Sequence, residues 1–284
     1  MLNHIYHALN PIAFSIGPID VRWYGLAYVA AFILAYLLIR HISKRWELGI
    51  DSDDALTLVV VVAICLLVCA RLGYCLFYGD GYYLQHPLKI LAVNEGGMSF
   101  HGGLVGCILG GAISSRLLHV PFLTLADLGS IVAPVGLFFG RCANFVNGEL
   151  WGKVTTLPWG VVFESGGPLP RHPSQLYEAL LEGVVIFLVL YLMARRQPPR
   201  SRGTFLGTFL VLYGTFRFLI EFVRVPDVQL GYLINGVITM GQLLSLPMVV
   251  AGAVLLAWVR VRRLPQGRRA RRATPGVGGS NGEK

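Results

Sequence analysis

Ile131-Val132-Ala133-Pro134-Val135-Gly136-Leu137-Phe138-Phe139 runs without a break into Gly140-Arg141-Cys142-Ala143-Asn144-Phe145-Val146-Asn147-Gly148-Glu149-Leu150-Trp151-Gly152. An arginine, two asparagines and a glutamate crowd onto the end of an apolar segment, with glycines around them. Polar groups this dense at the edge of a hydrophobic stretch are costly, and they mark a functional site. The apolar half reads as a membrane-crossing helix. The polar half reads as the place where that helix emerges.

The rest of the chain supports this reading. It has 284 residues, 55% hydrophobic and 14% charged, against about 25% charged in a soluble domain. Long uncharged runs recur throughout, which implies a polytopic helical membrane protein. The net charge of +9 does not point to nucleic acid, because the basic residues sit in short runs between apolar segments. That pattern sets topology and contacts anionic membrane lipids. The N-terminus lacks a basic region followed by a small-residue cleavage site, so no removable signal peptide is expected. Cys65, Cys69, Cys75, Cys107 and Cys142 show no metal-ligand spacing beyond one i, i+4 pair and read as small packing residues.

The expected fold class is an all-α polytopic membrane protein of about seven transmembrane helices. The segment before residue 21 is too interrupted to span. Spans are predicted over about 23–39, 55–78, 98–117, 122–140, 174–194, 204–223 and 238–259. Asp51, Asp53 and Asp54 offer N-cap chemistry for the second. Gly102, Gly106 and Gly110 give the third a small-residue stripe for close helix approach. A non-spanning segment, 141–173, is long enough for a small extramembrane cap. Residues 1–260 form one catalytic domain, and 261–284 read as a basic, disordered cytoplasmic tail. The segments after spans one, three, five and seven carry 16 Lys and Arg, against 6 on the other side. The C-terminus is therefore expected in the cytoplasm, with the N-terminus and the opening stretch outside.

Four polar groups fall on that outer side. They are the opening stretch, His101, Trp23-Tyr24-Gly25, and a stripe of Tyr213, Arg217, Glu221 and Arg224. At 100° per residue the stripe occupies an arc of about 80°, so it faces the bundle or a polar cavity rather than lipid. Blander readings exist for each: an Arg217–Glu221 structural ion pair, an interfacial aromatic anchor at Tyr24, and helix-end roles for His101, Asn144 and Asn147. Together Arg141, Arg217 and Arg224 outnumber Glu149 and Glu221. Guanidinium forks suit phosphate, so the residues describe an extracytoplasmic pocket for an anionic lipid headgroup.

At these positions the chain resembles the prolipoprotein diacylglyceryl transferase family. The resemblance rests on Gly140 to Gly152, Trp23-Tyr24-Gly25, Met98 to Gly103, Arg171-His172-Pro173-Ser174-Gln175-Leu176-Tyr177-Glu178 and the Tyr213 to Glu221 stripe. It implies transfer of the diacylglyceryl group of phosphatidylglycerol to the lipobox cysteine thiol of preprolipoprotein signal peptides. A thioether forms and glycerol phosphate leaves. It also implies a multi-pass enzyme of the bacterial cytoplasmic (inner) membrane, and no metal or cofactor. The residues implied as catalytic are Tyr24, His101, Arg141, Glu149, Arg217 and Glu221. Those expected to bind phosphatidylglycerol are Arg141, Asn144, Gly152, Tyr213 and Arg217, which the resemblance carries over, and Asn147 and Arg224, which the reading of the residues adds. The thiol must lose a proton to attack. His101 is a base by type, and Glu149 and Glu221 remain open as alternatives. An extracytoplasmic-facing phospholipid or anion transporter is the competing class. It predicts broken spans in both halves and an internal repeat, and no convincing repeat is found.

Overall fold

The computed structural model describes residues 2–17, 19–79, 81–92, 96–197, 199–225, 232–234 and 238–267. Most of the basic tail and the middle of the segment between the last two long helices lie outside these residues. The chain opens with α1 (Leu2–Ala8) and an antiparallel hairpin of β1 (Ile12–Ile16) and β2 (Ile19–Arg22). The all-α expectation is amended there, and again at β3 (Tyr232–Ile234) and β4 (Ile238–Thr239). In each place two short strands pair antiparallel.

The helices that follow are α2 (Trp23–Arg45), α3 (Ser52–Phe77), the short α4 (Tyr82–Gln85), α5 (Phe100–Leu117), α6 (Phe122–Asn147), α7 (Ser174–Ala194), α8 (Thr204–Ile220) and α9 (Met240–Arg262). Each predicted span therefore coincides with a helix. Five of them, α2, α3, α6, α7 and α9, are long and apolar enough to cross a membrane. The other two are shorter: α5 has 18 residues and carries His101 and Arg116 near its ends, and α8 has 17. Large apolar side chains such as Ile33, Leu37, Val60, Ile64, Val250 and Val254 stand exposed on the outer faces. Patches of that kind on helices of this length mark a lipid-facing surface.

Local chemistry sets the helix ends and the packing. Asp51 caps α3, accepting from the amide of Asp54 at 2.8 Å, with Asp54 closing the reciprocal bond. The α5 stripe packs directly on α3. A Cβ placed at Gly102 or Gly106 would lie 2.3 Å from the carbonyl oxygen of Cys69 or Cys65, so the two backbones touch and no side chain fits between them. Arg71, near the end of α3, is buried. Its guanidinium donates to the carbonyls of Lys89, Ile90, Ala92, Gly96 and Gly97, fastening the following loop.

The apolar core gathers Leu128 and Ile131 of α6, Ile186 and Leu190 of α7, and Phe205 of α8. These lie in one half of the bundle. The polar residues of the same three antiparallel helices (Arg141, Glu178, Arg217) lie at the other end. Fold and site thus divide the helices lengthwise.

Candidate functional site

The opening stretch is mostly helix. α6 runs to Asn147 and stops at Gly148, whose φ of 68° lies in the left-handed region, where glycine costs least. The first seven residues of the stretch expected as a cap, 141–173, are thus helical, and the segment outside the helix, called the cap below, is 148–173. Arg141, Asn144 and Asn147 recur at helical spacing and so share a face. Past the stop, Glu149 turns back. Its Oε1 accepts from Asn144 Nδ2 at 2.8 Å and from Asn147 Nδ2 at 3.2 Å. Leu150 takes a φ of 59°, unusual for a side chain of that size. Gln175 and Ser174, at the start of α7, donate to the Glu149 and Leu150 carbonyls at 2.5 and 2.9 Å.

Behind this turn lies a cluster of charge. Glu178 of α7 is fully buried, and three arginines converge on it. Arg141 Nε approaches Oε2 at 2.5 Å, Arg217 donates to Oε1 at 2.9 Å, and Arg224 Nε lies 3.7 Å from Oε1. Glu221 Oε1 binds the other amine of Arg217 at 2.5 Å and that of Arg224 at 3.3 Å. Its second oxygen accepts from the Thr239 hydroxyl at 2.6 Å. Thr239 also caps α9 by accepting from the Gln242 amide, so the start of α9 is tied to the cluster. Glu182, one turn beyond Glu178, is fully buried, neither of its oxygens is hydrogen-bonded among the described residues, and Arg141 is 4.0 Å away. The helix is widened into a π-turn over Ala179–Val185, a distortion frequent at functional sites.

The other predicted residues surround this centre unequally. Tyr213 is buried, and the cluster's charges act on its hydroxyl; those of Glu149 and Arg141 act on Tyr24, which also meets the hydroxyl of Tyr28 at 3.3 Å. Gly152 is a packing point. A Cβ there would lie 2.6 Å from the Val223 carbonyl and 2.7 Å from His172 Cβ, and its amide donates to the His172 carbonyl. It lets the cap touch the chain leaving α8. His101 is exposed near the start of α5, edge-on to Phe100. Among the described residues it reaches none of the cluster's side chains.

The cap is stitched from both sides. Arg171 stacks over Trp151 at 4.0 Å and donates to the Gly166 carbonyl. Trp159 Nε1 donates to the Tyr177 hydroxyl at 2.7 Å, which leaves that hydroxyl free to donate to His172 Nδ1 at 3.1 Å. Burial pushes His172 below the ordinary histidine range, consistent with a neutral ring accepting at Nδ1. From the N-terminus, Tyr6 of α1 packs against Phe145 and Phe163, and Asn3 accepts from the Val162 amide at 2.8 Å.

Residues 11–258 match the family model described as prolipoprotein diacylglyceryl transferase. Three relatives are each named phosphatidylglycerol--prolipoprotein diacylglyceryl transferase. One from Geobacter sulfurreducens is 50% identical over 90% of this chain and 97% of its own length. One from Desulfotalea psychrophila is 46% identical, over 92% and 96%. One from Nitratidesulfovibrio vulgaris strain DP4 is 48% identical, over 87% and 94%. The chain belongs to the prolipoprotein diacylglyceryl transferase family.

In this diacylglyceryl transferase family member the site differs in charge from the sequence expectation. Three arginines were set against Glu149 and Glu221. The structure instead sets them against Glu178, Glu182 and Glu221, while Glu149 is occupied by its asparagines. Sequence reasoning passed over Glu178 and Glu182 as parts of a span. Two carboxylates one turn apart inside an apolar run were the signal, because such groups are rare in spans without a function. Among the described residues no group of His, Cys, Asp and Glu is arranged to hold a metal ion.

Proposed function

We propose that this chain moves the diacylglyceryl group of phosphatidylglycerol onto the lipobox cysteine of a preprolipoprotein signal peptide. The S–C bond forms as the bond from the glyceryl carbon to the phosphate oxygen breaks. Glycerol phosphate leaves, and the thiol proton passes to a base. The reading rests above all on three guanidiniums converging at one end of a bundle of apolar helices, in a chain of this family. Arg141 and Arg217 are assigned to the phosphate, where negative charge grows as the bond breaks. Glu178 holds the two in a fixed relation, and Glu221 orients Arg217. Asn144, Asn147, Tyr213, Arg224 and Gly152 shape the headgroup site, and Tyr24 sits beside it. His101 is assigned as the base. Both oxygens of Glu221 and Oε1 of Glu149 are held by donors within the protein, whereas among the described residues His101 is exposed and makes only a ring contact with Phe100. The peptide thiol then lies between His101 and the cluster.

Seven spans are assigned, in a bacterial inner membrane, with the cluster on the extracytoplasmic side. The support is the surplus of Lys and Arg on the other side.

The test is transfer from phosphatidylglycerol to a lipobox peptide by purified protein, followed by mass. A mass increase of one diacylglyceryl group on cysteine is expected. In single-turnover kinetics Arg141→Ala and Arg217→Ala are expected to slow the bound-state rate about 10²–10³-fold, with Lys restoring part of it. If either change weakens lipid binding yet leaves that rate intact, the arginines are headgroup anchors and the catalytic assignment falls.

A further inference from the structure

A second basic site lies at the opposite end of the bundle. Arg217 and Thr204 are thirteen residues apart on α8, or about 20 Å along the helix. Around Thr204 opens a cavity of ≈ 610 Å³, bordered by α7, α8, α9 and the segment joining α7 to α8. A volume of a few hundred Å³ is the size of small-molecule sites. Its apolar wall is Met193, Leu256 and Val259, and Arg200, Arg260 and Arg263 stand at its rim.

The charge is uncompensated locally. Arg200, Arg260 and Arg263 are exposed, and among the described residues none pairs with a carboxylate. The nearby acid, Asp127, faces the start of α8 and is consumed there by the amides of Gly203 and Leu206 and by Gln266. It makes no ion pair with the rim among the described residues and does not leave the helix N-terminus free to bind an anion. The Thr204 and Thr208 hydroxyls donate to the carbonyls of Ser201 and Thr204, which leaves the arginines as the donors available to a guest. A guest therefore needs a compact anion at the rim and hydrocarbon against the wall.

We infer that this cavity seats an anionic glycerophospholipid, its phosphate among Arg200, Arg260 and Arg263 and its upper acyl carbons against Met193, Leu256 and Val259. Assignment to the cytoplasmic leaflet rests on the proposed topology; the site itself does not. Its occupant clamps the end of α9 to the start of α8, away from the reacting groups.

The experiment uses the full chain in phosphatidylcholine nanodiscs with a minor share of phosphatidylserine, which is anionic but not the proposed donor lipid. Native mass spectrometry counts the lipids retained. One tightly held phosphatidylserine is expected. Its affinity should fall roughly fivefold for each arginine replaced by alanine and on the order of a hundredfold for all three. Thr208→Trp places a bulky ring in the part of the cavity that the acyl carbons would occupy while keeping all three arginines and should also weaken lipid binding, which covers the case in which the triple variant misfolds. Arg217→Ala should leave it in place. The inference is overturned if Arg217→Ala removes the lipid and the rim variants do not, since the lipid then sits at the other end. Equal retention of phosphatidylcholine alone, or displacement by excess inorganic phosphate, overturns it as well. Failure of the transfer assay with phosphatidylserine still held would sink the proposed function and leave this site standing.

Discussion

Glu178 is the residue on which the buried charges depend. It has no exposure and answers Arg141, Arg217 and Arg224 at once. Removing one member of a buried ion pair costs about 3–5 kcal/mol, because the partner keeps its charge without compensation. Glu178→Ala is expected to lose at least that much in a denaturant titration in detergent. Glu178→Gln still offers Arg217 an oxygen and should lose less. Equal stability of all three proteins would mean that water already compensates these arginines. Gly152 makes a different demand. Gly152→Ala forces a methyl group into the 2.6 Å gap before the Val223 carbonyl. Overpacking of that kind costs about 1–3 kcal/mol, and limited proteolysis should show the cap cut faster. If its protease pattern is unchanged, the seam is softer than its distances imply.

At the scale of elements, α8 begins in a way that its own sequence does not show. Gly203, at a φ of 91°, has no side chain with which to cap the helix. Asp127 of α6 supplies the acceptor, taking the Gly203 amide at 2.7 Å and the Leu206 amide at 2.8 Å. Asp127→Ala leaves both amides buried and unpaired at about 1–3 kcal/mol each, and Asp127→Asn, with one acceptor, should recover about half. Gln266 reaches the same carboxylate, and the Leu264 carbonyl accepts from the Arg202 amide. A chain ended after Arg263 should keep its turnover and lose about 1–2 kcal/mol, whereas one ended after Gly267 should lose nothing. Thermal unfolding with a parallel transfer assay separates the two.

The same elements show what was legible beforehand. Helix positions follow from hydropathy, because each apolar run must satisfy its backbone within itself. The glycine stripe of α5 was readable from its spacing alone. The facing of Arg217 with Glu221 was readable from helical period. Glu178 was quoted in a family block yet not ranked as a site residue, because one helix does not reveal which neighbour's arginines it meets. The bond from Asp127 to α8 was hidden for the same reason: its partners are 76 and 79 residues away.

At the scale of the whole molecule, the segment 148–173 is held by an apolar cluster and by polar contacts, and pH acts on the polar ones. His172 is hydrogen-bonded to Tyr177, and burial, which disfavours the charged ring, sets it below its ordinary value of 6.5. The unfolded chain then binds the proton more readily than the folded one. The stability tied to the neutral ring is therefore complete above about pH 6.5 and lost as pH falls through the lower folded value. Melting temperature should drop over that window, and His172→Gln should flatten the drop. An identical slope in the variant would assign the acid sensitivity to other groups.

The contact between Asn3 and Val162 joins positions 159 residues apart, and it dictates a schedule. Ribosomes add about 5–20 residues per second, so α1 is made roughly 8–30 s before the strand of cap that it must hold. Throughout that interval Asn3 waits without this partner. The first residues translated thus fasten a segment made much later, and a nascent chain arrested before Val162 has no finished site to offer a substrate.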